Sequence, residues 1–329
     1  GVAPDGFHAM TIFPEYFRIR GRWVLAEESR MDCVAVVRDD GTVDVREFRR
    51  LQAGDRVVVG RTETGEDGIL VHADGFPERS GSSDKFAFRT GRSRETSYSL
   101  DYDRLYDLLR HDRDHGRIAW VLGPAATFDH DSRQALAHLV RKGFVHAVLG
   151  GNALATHDLE AAWLRTALGQ DIYTQQSVPD GHYHHLDVIN AVRGCGSIAR
   201  FIEEKGIRDG ILQACHERGI PVVLAGSIRD DGPLPDVLTD TTAAQDAMRR
   251  EIRQATVVLG LATQLHTIAA GNMTPSYRVV AGQVRPVYLY SVDVSEFAVN
   301  KLRDRGTLEV TSIVTNIQDF VVNLARNLA

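Results

Sequence analysis

Residues 221–240 read P-V-V-L-A-G-S-I-R-D-D-G-P-L-P-D-V-L-T-D, and Arg229, Asp230, Asp231, Asp236 and Asp240 place one guanidinium and four carboxylates within a dozen residues. A guanidinium can hold a carboxylate through paired hydrogen bonds, and carboxylates can bind amines or exchange protons. Pro233 and Pro235 stiffen the loop. The alternatives are a solvated acidic loop, or Arg229 and Asp230 simply paired with each other. A second cluster is Gly181-His182-Tyr183-His184-His185. Imidazole is the side chain best matched to proton transfer near neutral pH. Three histidines in four residues also raise a metal ion, but no Cys stands at ligand spacing and Asp180 and Asp187 are weak partners, so no metal site is expected. The plain alternative is a solvated histidine loop.

The elements around these residues set where they can act. Val222-Val223-Leu224 is a buried parallel strand by composition, and Ala225-Gly226-Ser227 lets the backbone turn at its carboxyl end, where open α/β sheets place ligands. From residue 118 onward, strands and helices alternate. Strands are expected at 118–122, 145–149, 222–224, 256–260, 287–292 and 309–314, with helices at 131–141, 154–168, 241–254, from 264, at 295–305 and from 317. Three further helical patches lie between residues 185 and 218. That pattern predicts an α/β fold with a doubly wound, mostly parallel, Rossmann-like sheet. Ahead of it, residues 1–75 read as a small β-rich module with an Asp40-Gly41 hairpin turn between Cys33-Val34-Ala35-Val36-Val37 and Val43-Asp44-Val45-Arg46. This module serves either as an interface or lid or as a structural appendage. Residues 76–90 are a Gly- and Ser-rich linker, and 91–329 the Rossmann-like domain.

Composition narrows the function. With 43% hydrophobic and 25% charged residues the chain is an ordinary globular protein of 329 residues. A net charge of -6 gives no reason to expect nucleic acid or an anionic membrane as partner. No apolar run approaches the roughly 20 residues of a membrane span, and no secretory signal opens the sequence. Cys33, Cys195 and Cys215 are widely spaced and form no C-x-x-C pair, so they read as reduced thiols of a cytoplasmic protein.

No G-x-G-x-x-G fingerprint is present. Val257-Val258-Leu259-Gly260 nonetheless leads through Ala262 and Thr263 into a helix, a turn that can set backbone N–H groups against a pyrophosphate. The next strand ends in Asp293, placed to bond adenosine ribose hydroxyls or else to begin the following helix as a cap. The residues alone leave a dinucleotide open.

The loop at 221–240, Gly150-Gly151-Asn152-Ala153-Leu154-Ala155, and Leu261-Ala262-Thr263-Gln264-Leu265-His266 together resemble the archaeal-type, NAD-dependent ornithine cyclodeaminases of the LOR/SDH-domain family. These also form the carboxyl-terminal half of cyanobacterial arginine dihydrolase fusions. Gly181-His182-Tyr183-His184-His185-Leu186 is similar to the family's G-H-x-x-H-L, and Arg92-Ser93-Arg94-Glu95-Thr96-Ser97 to its S-R-E-x-S-Y segment. The likeness runs from about residue 4 to the end, whereas family members usually carry a further domain before this point. It implies NAD contacts at Asn152, Ala153, Asp231, Thr263, Gln264, Leu265, His266, Asp293, Asn316 and Ile317. Gln264 stands where Met is common and Asn316 where Asp is common.

The resemblance also implies a reaction. Hydride passes from the substrate Cα to NAD, the δ-amine attacks the resulting imine, ammonia leaves, and hydride returns to give proline. Such a site wants a cation for the α-carboxylate, here assigned to Arg229, and acids for the distal ammonium or for proton transfer, here Asp230 and Asp240. His182 and His185 are the proton-relay candidates, and His266 lies against nicotinamide or pyrophosphate. The partners implied are a small amino-acid substrate and further copies of the chain in a homo-oligomer. The competing readings are an NAD-dependent amino-acid or opine-type dehydrogenase, a cyclodeaminase of another diamino acid, and a non-catalytic NAD-binding regulatory module.

Overall fold

A computed structural model describes residues 1–76, 99–230, 232–294 and 309–328. Most of the expected 76–90 linker, the 92–97 segment, Asp231 and the helix expected at 295–305 lie outside the described residues. The chain divides into two compact units: residues 1–103 with 275–287 and 303–309, and residues 104–274 with 288–302 and 310–329.

The first unit is β-rich, as its alternating short runs require. Strands β1 (Glu15–Ile19), β2 (Arg22–Leu25) and β6 (Ile69–Val71) form one antiparallel sheet. Strands β3 (Cys33–Val37), β4 (Val43–Glu47) and β5 (Arg56–Val57) form another. The β3–β4 hairpin closes where the Asp40-Gly41 pair predicts, with Gly41 at φ +86° and the Arg38 amide donating to the Thr42 carbonyl at 2.9 Å. Phe17, Ala26, Cys33, Ala35, Val45 and Ile69 supply the core. One excursion was not anticipated from sequence: residues 275–287 belong here and not with the Rossmann-like residues that flank them. The reason is Tyr277, fully buried, whose hydroxyl donates to the Ala26 carbonyl at 2.7 Å.

The second unit is built on a seven-stranded sheet ordered β12-β11-β8-β7-β13-β16-β17. These are Val237–Leu238, Val222–Ala225, Ala147–Gly151, Ile118–Leu122, Val257–Leu261, Tyr288–Asp293 and Glu309–Val314. Pairings from β12 across to β16 are parallel. Every residue of β7 and β13 is buried, the mark of strands covered on both faces. The chain starts in the middle at β7, winds outward through β8 and β11, and returns past β7 to β13, β16 and β17. The direction of winding therefore reverses between β7 and β13, and such a switch point opens a crevice at the strands' carboxyl ends.

The helices differ from expectation in two places that matter. Helix α4 starts at Gly181 and runs to Cys195, so the histidine cluster occupies a helical first turn and not a loop. Helix α3 (Asn152–Leu164) stops short of residue 168 because Arg165 turns left-handed at φ +60°, and Thr166–Ala167 then pairs with Gln170–Asp171. No helix among the described residues is long and apolar enough to cross a membrane.

Candidate active site

Backbone holds the ends of β7 and β13 together at the floor of the switch point. The Gly123 amide, one residue past β7, donates to the Leu261 carbonyl at 2.8 Å. A Cβ on Gly123 would run into the Ala262 carbonyl oxygen and sit 2.7 Å from its carbon, so only glycine lets the two strand ends approach this closely. Ala262 itself adopts φ +49°, a left-handed geometry that costs alanine on the order of 1 kcal/mol or more. That turn delivers Thr263 as the N-cap of α8 (Gln264–Met273), with no side-chain cap. Gly260 lets α8 lie close on the sheet, since a Cβ there would meet the Thr267 side chain.

A second helix begins beside it. Helix α3 has Gly151 as N-cap, again without a side-chain cap, and a Cβ on Gly151 would lie 3.2 Å from His266 Cε1. Two helix amino termini uncapped by side chains thus flank His266. Their first-turn N–H groups and partial positive charge fit the pyrophosphate of a dinucleotide. Burial lowers the His266 pKa, with the nearby charge of Asp230 opposing it, so a neutral imidazole is favoured between the two helix ends. Around this crevice Thr263 is half-buried, Ala153, Gln264 and Leu265 are exposed, and Asp293 is half-buried at the end of β16. Asn316 spends its side-chain oxygen on the Gln318 amide at 2.8 Å, capping the last helix, Ile317–Leu328, whose Ile317 is buried. Its side-chain N–H groups have no hydrogen-bond partner among the described residues and can serve a ligand.

Next to the crevice lies a cavity of about 540 Å³, lined by Asn152, His185, Leu186, Ile189, Asn190, Arg193, Arg229, Asp230 and Gly232. Helix α4 gives it one face, since residues 185, 189 and 193 recur at helical spacing. The 227–232 loop gives the other. Asp230 accepts the Ser227 amide at 2.8 Å, and the Ser227 hydroxyl accepts the Arg229 amide at 3.2 Å, which braces the loop. Asn152 ties loop to sheet by accepting the Leu234 amide at 3.0 Å. Arg229, Asp230 and His185 therefore line one cavity, and no ion pair between Arg229 and Asp230 forms among the described residues.

Two sequence candidates take other roles. Asp240 does not line the cavity; its carboxylate accepts the Ala243 amide at 2.7 Å and caps helix α7 (Thr241–Ile252). His182 is exposed against Tyr183, with ring centroids 4.2 Å apart, and also does not line the cavity. Asp236 accepts the Ile198 amide at 2.7 Å and so helps to start helix Ile198–Glu204. No group of three potential metal ligands comes together among the described residues, and the three cysteines are buried and form no disulfide.

His184, between the two histidines singled out in the sequence, anchors α4 from behind. Its Nδ1 lies 2.7 Å from the Thr166 hydroxyl, which donates to Glu160 Oε1 at 2.8 Å. One hydroxyl carries one proton, so the His184 Nδ1 must be the donor in its own contact. Glu160, fully buried, also accepts the Gly169 amide at 3.2 Å and meets His157 Nδ1 at 2.8 Å. Burial pushes the Glu160 carboxyl up, but His157, Thr166 and Gly169 together hold it below the usual carboxylate range. A lowered carboxyl pKa gives stability that is complete above the unfolded value of about 4.3 and fades as pH falls through the folded one. Glu160→Gln is therefore expected to cost about 1–2 kcal/mol at neutral pH. Urea midpoints of variant and wild type should stay apart above about pH 4.3 and converge as pH falls through the folded-state pKa.

Fold and site define a class: a Rossmann-fold domain with a dinucleotide-type crevice at its switch point and a charged cavity alongside. Residues 105–324 match the family described as "Arginine dihydrolase ArgZ-like, C-terminal, Rossmann fold", and residues 14–97 its companion "C-terminal, first region". The ornithine cyclodeaminase of Methanocaldococcus jannaschii is 38% identical over 333 residues, spanning 99% of this chain and 75% of that protein. The crystal structure of a conserved putative LOR/SDH protein from Methanococcus maripaludis S2 superposes with a TM-score of 0.88 at 36% identity, covering 99% of this chain and 95% of that one. The ternary complex of AgrE with ornithine and NAD+ gives 0.63 at 36% identity, covering 99% of this chain and 44% of that one. The chain belongs to the ArgZ-like C-terminal family, together with the archaeal ornithine cyclodeaminases.

Proposed function

We propose that this protein is an ornithine cyclodeaminase, converting L-ornithine to L-proline and ammonia. The observation that carries the reading is the cavity beside the crevice, which gathers guanidinium, carboxylate and imidazole in one space of about 540 Å³. Those are the groups a diamino acid needs for its α-carboxylate, its distal ammonium and its proton transfers. The family members named above, one called ornithine cyclodeaminase and one crystallised with ornithine and NAD+, support the same reading.

The cofactor is NAD. When bound, it takes a hydride from the substrate Cα and gives it back to the cyclised imine, so it is not consumed. The chain's own residues do the rest. The first turns of α3 and α8 hold the pyrophosphate through backbone N–H groups, and neutral His266 packs between them. Asp293 bonds ribose hydroxyls at the end of β16. Asp230 attracts the distal ammonium, and His185 exchanges protons as one amine is lost and the other closes the ring. Arg229 and Arg193 are the cations in reach of the α-carboxylate. The setting that goes with this role is a cytoplasmic homo-oligomer in amino-acid metabolism, forming proline.

The test is incubation with L-ornithine and catalytic NAD while ammonia, proline and NADH are followed together. Ammonia and proline in equal amounts with no net NADH is the expected result; stoichiometric NADH would make the protein a dehydrogenase. For the cofactor site, Asp293→Ala is expected to weaken NAD binding by about 1–3 kcal/mol, the scale of a charged hydrogen bond. Unchanged affinity in a fluorescence titration would take Asp293 out of the site.

A further inference from the structure

We infer that Arg193, a residue no sequence motif marks, is the group that fixes the substrate's α-carboxylate and selects α-amino acids from simple diamines. The inference rests on the cyclodeaminase reading. Two guanidiniums reach the cavity, and they differ in how firmly they are held. Arg229 stands on an exposed loop next to Ile228, whose side chain is fully exposed. Arg193 is exposed as well, but it stands on α4, whose core-facing side is locked in place by Val188, Val192 and Cys195, packed with Leu159, Phe201 and Leu212. Catalytic geometry is kept best by groups on such rigid elements.

Position points the same way. Arg193 is two helical turns beyond His185 on the face that lines the cavity, and its Nη1 lies 3.7 Å from where a Cβ on Gly232 would be. The guanidinium therefore reaches across to the loop that carries Asp230, and Gly232 leaves room in front of it. Arg193 makes no hydrogen bond or ion pair among the described residues, so its fork of N–H donors is available for a bidentate carboxylate. With Asp230 and His185 in the same cavity, cation and anion are set apart to receive the two ends of one zwitterion.

The experiment measures binding to the NAD-loaded protein by calorimetry, beside steady-state kinetics, for wild type, Arg193→Gln, Arg193→Lys and Arg229→Gln. The ligands are L-ornithine, 5-aminopentanoate, which keeps the carboxylate but lacks the α-amine, and 1,4-diaminobutane, which lacks the carboxylate. Arg193→Gln is expected to weaken ornithine and 5-aminopentanoate by roughly 10- to 100-fold. 1,4-Diaminobutane and NAD should change by less than about threefold, within the scatter of remote effects. Arg193→Lys should recover only part of the loss, because an ammonium cannot reproduce the fork. Arg229→Gln should affect the carboxylate ligands less than Arg193→Gln. Wild-type ornithine affinity in Arg193→Gln, or an equal loss of all three ligands, would overturn the assignment while wild-type turnover left the function standing. Failure of the wild type to bind ornithine at all would overturn the functional reading and this inference together.

Discussion

Asp158→Ala is expected to lower the stability of the Rossmann-fold unit by about 3–5 kcal/mol, the cost of leaving a buried charge without its partner. Arg133 is fully buried, and its Nε donates to Asp158 Oδ1 at 3.0 Å while Nη1 donates to Asp209 at 2.9 Å. Asp158 is equally deep, and its carboxylate also accepts the Ile211 and Leu212 amides at 3.2 and 2.8 Å, so it caps helix Ile211–Arg218 from a distant part of the chain. Removing it strands a guanidinium in the core, since Asp209 is partly exposed at 37% and compensates only in part. Two helix N–H groups lose their acceptor as well. The measurement is urea denaturation followed by circular dichroism. A loss under about 1 kcal/mol would mean that water or a neighbour replaces the carboxylate.

Gly123→Ala acts on the cofactor crevice itself. The added Cβ meets backbone, the Ala262 carbonyl, and not the yielding end of a side chain. Either β7 and β13 part at their ends, or the left-handed turn at Ala262 rearranges and α8 moves with it. Overpacking of this kind costs about 1–3 kcal/mol. Because α8 supplies one of the two amino termini around His266, NAD affinity should fall at least about tenfold, or roughly 1.4 kcal/mol. Thermal unfolding with and without NAD reads both effects. A variant that loses stability yet binds NAD as the wild type does would separate the Gly123 contact from the cofactor site.

The sheet was legible because its strands are unmixed apolar runs: Ile118 to Leu122 and Val257 to Leu261 could hardly lie anywhere but in a covered parallel sheet. The crevice was legible in part. Ala262 and Thr263 announce a tight turn, but the matching glycines at 123 and 151 show their purpose only once three strand ends stand side by side. The hairpin at 275–287 was hidden because what draws it to the first unit is a hydrogen bond from Tyr277 to Ala26, 251 residues away in sequence. Asp240 caps helix α7 in the structure. Followed by Thr241, Thr242 and Ala243, it carries a plain N-cap signature, legible in the sequence beside its place in an acidic loop. Arg193 sits in an ordinary amphipathic helix, and nothing in its neighbours discloses which loop the helix faces. The histidines were told apart only by the helix that carries them, which sends His185 to the cavity, His184 to Thr166 and His182 to solvent.

Cyclodeamination is tested most directly with L-ornithine deuterated at Cα, incubated with catalytic NAD. If the same hydrogen leaves and returns within one closed site, the proline formed keeps its deuterium at Cα, one ammonia appears per proline, and no reduced cofactor accumulates. Deuterium collecting in reduced cofactor together with a 2-oxo acid, or lost to solvent from the product, would contradict a cyclodeaminase.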